Sequence, residues 1–196
     1  MTRISTTQDN LAVSAIRQEI EAAQRVMVAS HIRPDGDAVG SLLGMGLAMI
    51  AGGKDVQMVL QDGVPHNFRH LAGSEQVLSK PNGPVDLTIV LDVSDLPRLG
   101  NVLDAYGVPD INIDHHFTNE GFARRNLVES DAAATAEVIA RHLNAFGLPM
   151  TEAVANALLT GLITDTIGFR TANVSPGTMR IVADLMEAGG LSLIHI

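Results

Sequence analysis

Cysteine and tryptophan are absent from this chain of 196 residues, and aromatic residues make up only 3% of it. Without cysteine, the chain has neither a disulfide framework nor a thiolate metal site. One Tyr and five Phe argue against an aromatic stacking surface for long single strands. The net charge of -9 argues against a large basic footprint for long duplex nucleic acid. A short anionic substrate is still compatible with this charge if metal ions supply local positive charge.

Long apolar runs are also absent. The longest weakly polar run, Ser41–Gly53, is too short and too rich in glycine to span a bilayer, and the N-terminus has no signal-peptide core. With 46% hydrophobic and 18% charged residues, the composition is that of one globular domain. We therefore expect a cytoplasmic protein without a membrane partner. Its oligomeric state is open, with a homodimer among the alternatives.

Apolar strand patterns alternate with helical patterns along the chain. The predicted strands are Arg25–Ser30, Asp55–Leu60, Val85–Val93, Asp110–His116 and Arg125–Ser130. The predicted helices are Asn10–Gln24, Asp37–Ala51, Ala133–Phe146, Thr151–Ile163 and Pro176–Ala188. This alternation predicts an α/β fold, with a mainly parallel five-stranded sheet and helices on both faces.

Charged side chains follow three of the predicted strands. His31 comes directly after the first strand, Asp92 lies near the end of the third, and the sequence Asp114–His116 closes the fourth. Ligands of parallel sheets bind outside the carboxyl ends of the strands. We therefore expect these groups to converge on one edge of the sheet, although they lie far apart in sequence.

A set of carboxylates and imidazoles in and near these segments has the chemistry of a metal site. The candidate ligands are His31, Asp35, Asp37, Asp92, His115 and Asp165. Four carboxylates in one cleft would repel one another and raise their pKa values, and two divalent cations would balance their charge. The mixture of oxygen and imidazole donors favours Mn²⁺ over Mg²⁺, with Co²⁺ as a further alternative. Asp92 is the candidate bridge between the ions because it belongs to a central strand.

The turn "RPDGDAVG" (Arg33–Gly40) precedes the second helix. We expect Gly36 to let the backbone bend so that the carboxylates of Asp35 and Asp37 can face the metals. The N–H groups at the start of this helix are expected to be free for a carboxylate or a phosphate. Taken alone, the turn is explained equally well as a polar helix cap.

Four segments, in this order, resemble the DHH family of phosphoesterases. They are "HIRPDGDAVGS" (His31–Ser41), "VLDVSD" (Val90–Asp95), "DHH" (Asp114–His116) and "GLITDTIGF" (Gly161–Phe169). The resemblance implies in-line hydrolysis of a phosphoester with two bound metal ions. One ion would be held by His31, Asp35 and Asp92, and the other by Asp37, Asp92, His115 and Asp165. Asp92 and His116 are the implied catalytic residues, with His116 beside the substrate phosphate or leaving group and Asp114 orienting the motif.

Within the family, the segments "PDGDAVGS", "DVSD" and "VPHNFRHLAGSE" (Val64–Glu75) resemble bifunctional oligoribonucleases and 3'-phosphoadenosine 5'-phosphate phosphatases. This implies a manganese-dependent enzyme acting on short RNA oligonucleotides (nanoRNA) and phosphorylated nucleotides. One alternative is a phosphodiesterase of cyclic or linear dinucleotides. Another is a domain that binds metal but has little catalytic activity.

The resemblance also implies a domain organisation. Residues 1–190 correspond to the DHH phosphoesterase domain, and family members continue into a substrate-binding (DHHA1) domain that this sequence does not include. The last six residues, "LSLIHI" (Leu191–Ile196), match a translation of a common transposase-adapter end. We therefore expect them to be a non-native tail.

The other histidines and several arginines carry weaker signals. His66 and His70 are expected to lie at the surface or in a loop, and His142 is expected to face solvent or an interface. Three arginines are candidate phosphate contacts, although a surface ion pair is the commoner role for each: Arg33, Arg98 and Arg170.

Overall fold

The computed structural model describes residues 7–190, and their side chains from residue 11 onward. The suspected tail, Leu191–Ile196, lies outside the described residues. The strands are β1 (Arg25–Ala29), β2 (Asp55–Val59), β3 (Leu87–Leu91), β4 (Ile111–Asp114) and β5 (Arg125–Val128). The α-helices are α1 (Thr7–Ala22), α2 (Gly36–Ala51), α3 (Thr135–His142), α4 (Glu152–Asp165) and α5 (Pro176–Glu187). Short 3-10 helices cover His66–Phe68, Ser74–Gln76 and Leu96–Leu99.

The five strands form one parallel sheet in the order β2-β1-β3-β4-β5, which confirms the predicted α/β fold. The chain runs from β1 outward to β2 and then crosses back to β3, so the winding direction changes between β1 and β3. Ala29 of β1 is paired with Val90 of β3, and the carboxyl ends of the two strands are therefore neighbours. In open α/β sheets this switch point is where ligands bind.

The sheet separates two apolar cores because alternate side chains of a strand point to opposite faces. Val26 and Val28 of β1 pack in the larger core with side chains from all five α-helices. Met27 and Ala29 pack in the smaller core on the other face. There the 3-10 helix Leu96–Leu99 and turns at residues 101–106 provide the cover. Helical segments thus cover both faces, but the α-helices lie on one of them.

Three predicted elements have clearly different boundaries in the structure. The strand predicted to reach Val93 ends at Leu91 because Asp92 has a backbone φ of 60°, which is incompatible with an extended strand. The helix predicted over Ala133–Phe146 covers only Thr135–His142, and residues 144–147 form turns. The first helix begins at Thr7 rather than at Asn10.

Helices α2 and α4 approach each other backbone to backbone at Gly40. A Cβ at Gly40 would lie 2.5 Å from the Ala157 carbonyl oxygen and 2.7 Å from Gly161 N, closer than real Cβ atoms approach. This contact brings the start of α2, with Asp37, beside the end of α4, with Asp165. Helix α2 is buried on nearly every side. Within residues 7–190, no helix combines the length and the hydropathy needed to cross a membrane.

Candidate metal centre

All six predicted metal ligands lie together at the carboxyl edge of the sheet. Their ligand atoms form overlapping groups in which all atoms lie within 4.8 Å of one another. The groups are His31, Asp35 and Asp92; Asp37, His115 and Asp165; and Asp92, His115 and His116. The structure therefore brings the predicted residues together from β1, α2, β3, β4 and α4.

Asp92 lies between two of these groups. Its Oδ2 is 3.4 Å from His31 Nε2, and its Oδ1 is 3.8 Å from His115 Nε2. The side chain is only 3% exposed. The left-handed backbone at Asp92 turns the chain directly after β3, and its N–H donates to the Ile113 carbonyl at 3.0 Å. The two carboxylate oxygens therefore face different imidazoles, as a bridging ligand requires.

His31 presents an unpaired nitrogen to the centre. Its Nδ1 lies 2.8 Å from the Ile32 carbonyl, which can only accept a hydrogen bond, so Nδ1 carries the proton. Nε2 is buried and has no hydrogen-bond partner within the described part of the chain. It lies 3.9 Å from Asp35 Oδ1 as well as 3.4 Å from Asp92 Oδ2. Burial lowers the pKa of His31, but nearby Asp92 outweighs this and raises it above its ordinary value.

Asp37 is a fully buried carboxylate held by the start of α3. It accepts hydrogen bonds from Thr135 N at 2.6 Å, Ala136 N at 2.9 Å and Ser41 Oγ at 3.1 Å. Burial raises the pKa of Asp37 well above its ordinary value, and the charges of Asp92 and Asp165 raise it further. An ionised carboxylate in this position needs positive charge beside it.

Thr135 contacts two of the predicted ligands, a role that the sequence did not predict. Besides its amide bond to Asp37, its hydroxyl donates to Asp92 Oδ1 at 3.0 Å. The sequence carries only a weak indication of this role. Thr135 begins a helix whose N-cap residue, Ala134, has no side chain that could cap it.

Two expectations about the Asp35–Asp37 turn are wrong. The N–H groups at the start of α2 are not free, because Asp35 Oδ1 accepts from Asp37 N at 3.1 Å and from Ala38 N at 3.0 Å. Gly36 does not have a positive φ. A glycine is needed there for close packing, since a Cβ would overlap the Thr164 side chain.

The Asp114–His116 segment is fixed through Asp114, which is completely buried. Asp114 Oδ1 accepts from His115 N and lies 2.8 Å from His116 Nδ1, and its Oδ2 accepts from Asn119 Nδ2 at 2.6 Å. The hydrogen bond with Asp114 raises the pKa of His116. His115 Nε2 lies 3.6 Å from Asp165 Oδ2 and 3.9 Å from Asp37 Oδ2.

A buried ionic cluster lies behind the turn that presents Thr135. Glu137, with 0% exposure, accepts from Ala133 N at 2.8 Å and from Thr178 Oγ1 at 3.0 Å, and pairs with Arg141. Arg141 also pairs with Glu129. These contacts fix the segment between β5 and α3, and so the amide groups that bind Asp37.

His142 belongs to the same cluster. Its Nε2 is 2.6 Å from Glu129 Oε1 and its side chain is 14% exposed, so the expectation that it faces solvent or an interface is wrong. His66 and His70 are exposed, and neither joins a metal-ligand group of the described residues.

The donor set fits divalent cations. It offers carboxylate oxygens and imidazole nitrogens, with the orphaned Nε2 of His31 and the repelling carboxylates of Asp37, Asp92 and Asp165 all facing the same space. Ions such as Mn²⁺, Mg²⁺ and Co²⁺ accept such donors to different degrees.

Residues 25–162 match the N-terminal domain of the DHH family. The chain belongs to the DHH family. A bifunctional oligoribonuclease and PAP phosphatase NrnA from Thermus thermophilus is 36% identical to it over 171 residues, which make up 84% of this chain and 50% of that protein. The chain thus spans about half the length of the curated relatives it matches.

Two solved structures share the fold of this DHH domain. An exopolyphosphatase-related protein from Bacteroides fragilis matches with a TM-score of 0.84 and 24% identity, covering 96% of this chain and 59% of that one. The exonuclease RecJ bound to manganese matches with a TM-score of 0.55 and 19% identity. The match covers 91% of this chain and 47% of that one. At these identities the likeness shows the fold alone.

Proposed function

We propose that this DHH domain is the catalytic part of a manganese-dependent phosphoesterase that hydrolyses short oligoribonucleotides and 3'-phosphoadenosine 5'-phosphate. The observation that carries the proposal is the position of Asp92, whose two oxygens face His31 on one side and His115 on the other. The name of the Thermus thermophilus relative, NrnA, supports this choice of substrates. Manganese in the RecJ structure supports the choice of metal.

The proposed metal ligands divide into two sets that share Asp92. His31, Asp35 and Asp92 would hold one ion, and Asp37, Asp92, His115 and Asp165 the other. When bound, two divalent ions supply positive charge that stabilises the phosphate oxygens and acidifies a water nucleophile. Thr135 keeps Asp92 and Asp37 oriented toward the ions through its hydroxyl and its amide.

His116 is the proposed proton donor to the leaving oxygen. Its Nδ1 is tied to Asp114, which leaves Nε2 for the substrate. Asp114 raises the pKa of His116, so a larger share of the ring is protonated near neutral pH than in a free histidine. The side chain is 34% exposed and therefore accessible to a substrate from solvent.

The proposal is tested by metal titration followed by hydrolysis. The chain is freed of metal with a chelator, titrated with Mn²⁺ by calorimetry, and then assayed on the dinucleotide pApA, on a cyclic dinucleotide and on 3'-phosphoadenosine 5'-phosphate. We expect Mn²⁺ binding and release of nucleoside monophosphate, with slower turnover in Mg²⁺. Asp92→Asn should lose both. Asp55→Asn, an exposed carboxylate at the opposite edge of the sheet, is the matched control and should keep both.

Manganese binding without turnover of any substrate would contradict the enzymatic proposal and favour a metal-binding domain. Turnover of the cyclic dinucleotide alone would replace the proposed substrates. Unchanged Mn²⁺ affinity in Asp92→Asn would exclude the bridging role.

A further inference from the structure

A cleft of about 490 Å³ opens beside the metal centre. It is lined by His31, Ile32, Arg33, Asp35, Pro97 and Arg98. Two of these residues, His31 and Asp35, also belong to the first ligand group. Asp92, His115 and Asp165 do not line the cleft, so it extends from one side of the centre rather than over it.

The backbone holds two arginines side by side at this cleft. Ile32 N donates to the Arg98 carbonyl at 2.8 Å, which joins the segment after β1 to the 3-10 helix after β3. Arg33 has a left-handed backbone with φ of 52°, and its N–H donates to Asp62 Oδ2 at 2.6 Å. Such a conformation is costly for a residue other than glycine and persists only when its surroundings fix it.

Neither guanidinium group has a carboxylate partner among the residues that the structure describes. Although acidic residues outnumber basic ones in the chain, neither Arg33 nor Arg98 forms an ion pair within the described part of the structure, and Arg98 is half-buried. The surface ion pairs expected for these two arginines are therefore absent from the described part of the structure. Their positive charges are available to an anion.

We propose that this cleft binds a second phosphate of the substrate, one that is not hydrolysed, with Arg98 as its main contact and Arg33 at the rim. The inference rests on the proposed function and narrows it to substrates that carry two phosphate groups. The hydrolysed phosphate must reach the space around Asp92, which the cleft does not include. A phosphate bound in the cleft would lie next to the phosphate that is hydrolysed. Arginine suits this role because its guanidinium forms paired hydrogen bonds with phosphate oxygens.

The test compares two ligands that differ by one phosphate. Binding of 3'-phosphoadenosine 5'-phosphate and of adenosine 3'-monophosphate is measured by calorimetry on the Mn²⁺-loaded chain carrying His116→Asn, so that slow turnover does not obscure binding. Arg98→Gln is expected to weaken binding of the bisphosphate about tenfold to a hundredfold, the effect of one charge-assisted hydrogen-bond pair. Binding of the monophosphate should change by less than about twofold, because that ligand has no group for Arg98.

Arg124→Gln is the matched control. Arg124 is an exposed arginine paired with Asp110 at the opposite edge of the sheet, and its loss should leave both affinities unchanged. Equal weakening of both ligands by Arg98→Gln would overturn the proposal, since it would place Arg98 on the shared phosphate. Unchanged bisphosphate affinity, or no binding of the bisphosphate to the unmutated cleft, would overturn it as well. Selective binding by a chain without turnover would support the cleft and contradict only the proposed enzyme.

Discussion

The backbone amide of Thr135 lies 2.6 Å from Asp37 Oδ2, although the two residues are 98 positions apart in sequence. Through this bond the first turn of α3 holds a carboxylate that is a proposed metal ligand at the start of α2. The Thr135 hydroxyl reaches Asp92 at the same time. A residue without charge thus orients two proposed ligands.

We expect Thr135→Val to weaken Mn²⁺ binding about tenfold, because it removes one buried hydrogen bond to a charged group. Thr135→Ser keeps the hydroxyl and should bind Mn²⁺ nearly as the parent does. Calorimetric titration of both variants checks this. Equal affinity of Thr135→Val and Thr135→Ser would show that the hydroxyl does not support the centre.

Asp165→Asn should stabilise the metal-free protein and destabilise the protein in Mn²⁺. Burial raises the pKa of Asp165, and Asp92 and Asp35 add to this against the opposing effect of His115. Because the folded-state pKa is higher than the unfolded one, ionisation of Asp165 costs stability once the pH exceeds about 3.9. In chelator, Asp165→Asn should therefore be more stable than the parent at pH 7, and this difference should disappear near pH 3. In Mn²⁺ the order reverses, because ligand binding stabilises the parent more.

Thermal unfolding of both proteins, with chelator and with Mn²⁺, measures this reversal. Asp184→Asn, an exposed aspartate in the last turn of α5, reports the general effect of removing a negative charge near a helix C-terminus. If Asp184→Asn and Asp165→Asn raise the unfolding temperature equally in chelator, repulsion within the centre is not the cause of the stabilisation.

Glu129→Gln should destabilise the protein by about 1.5–3 kcal/mol at pH 7, the size of a buried hydrogen bond to a charged group. Burial raises the pKa of Glu129, but His142 and Arg141 outweigh it and hold the pKa below its ordinary value of 4.5. A lowered pKa means that the stabilisation is present above pH 4.5 and is lost as the pH falls through the folded-state pKa. Urea unfolding between pH 7 and pH 3 follows this loss. Glu187→Gln, at an exposed position, should show no such trend.

Gly40→Ala should cost about 1–3 kcal/mol, because the new methyl group meets backbone atoms of Ala157 and Gly161 that cannot move aside. Gly46→Ala in the same helix is the control, since its methyl group meets the flexible side chain of Met58. Alanine also has the higher helix propensity at both positions. In urea unfolding, Gly40→Ala should therefore be clearly less stable than Gly46→Ala. Similar stability of the two variants would mean that α2 and α4 separate easily.

The sheet and the meeting of the ligands were predictable because both follow from short-range patterns. Three of the apolar strands end at or next to the predicted ligands, and parallel strands place such ends along one edge. The left-handed backbone at Asp92, which ends β3 early, has no comparable signal in the sequence.

Contacts between distant segments explain what the sequence did not predict. Thr135 carries no charge, and its partner Asp37 comes from another helix. His142 is held by Glu129 from the end of β5, which helix periodicity alone does not indicate. Asp35 is a predicted ligand, but its side chain also caps α2 and so occupies the N–H groups that were expected to be free.

The close contact between α2 and α4 has a consequence for any saturation mutagenesis of this domain. Cβ atoms at Gly36, Gly40 and Gly44 would each overlap α4, and these glycines recur every four residues from beside the proposed ligand Asp37 into the core. A screen for lost activity would record them together with the proposed ligands, although none of them has a side-chain donor atom for a metal. Only a screen that measures protein abundance separately from turnover would distinguish the residues that bind metal from those that let two helices meet.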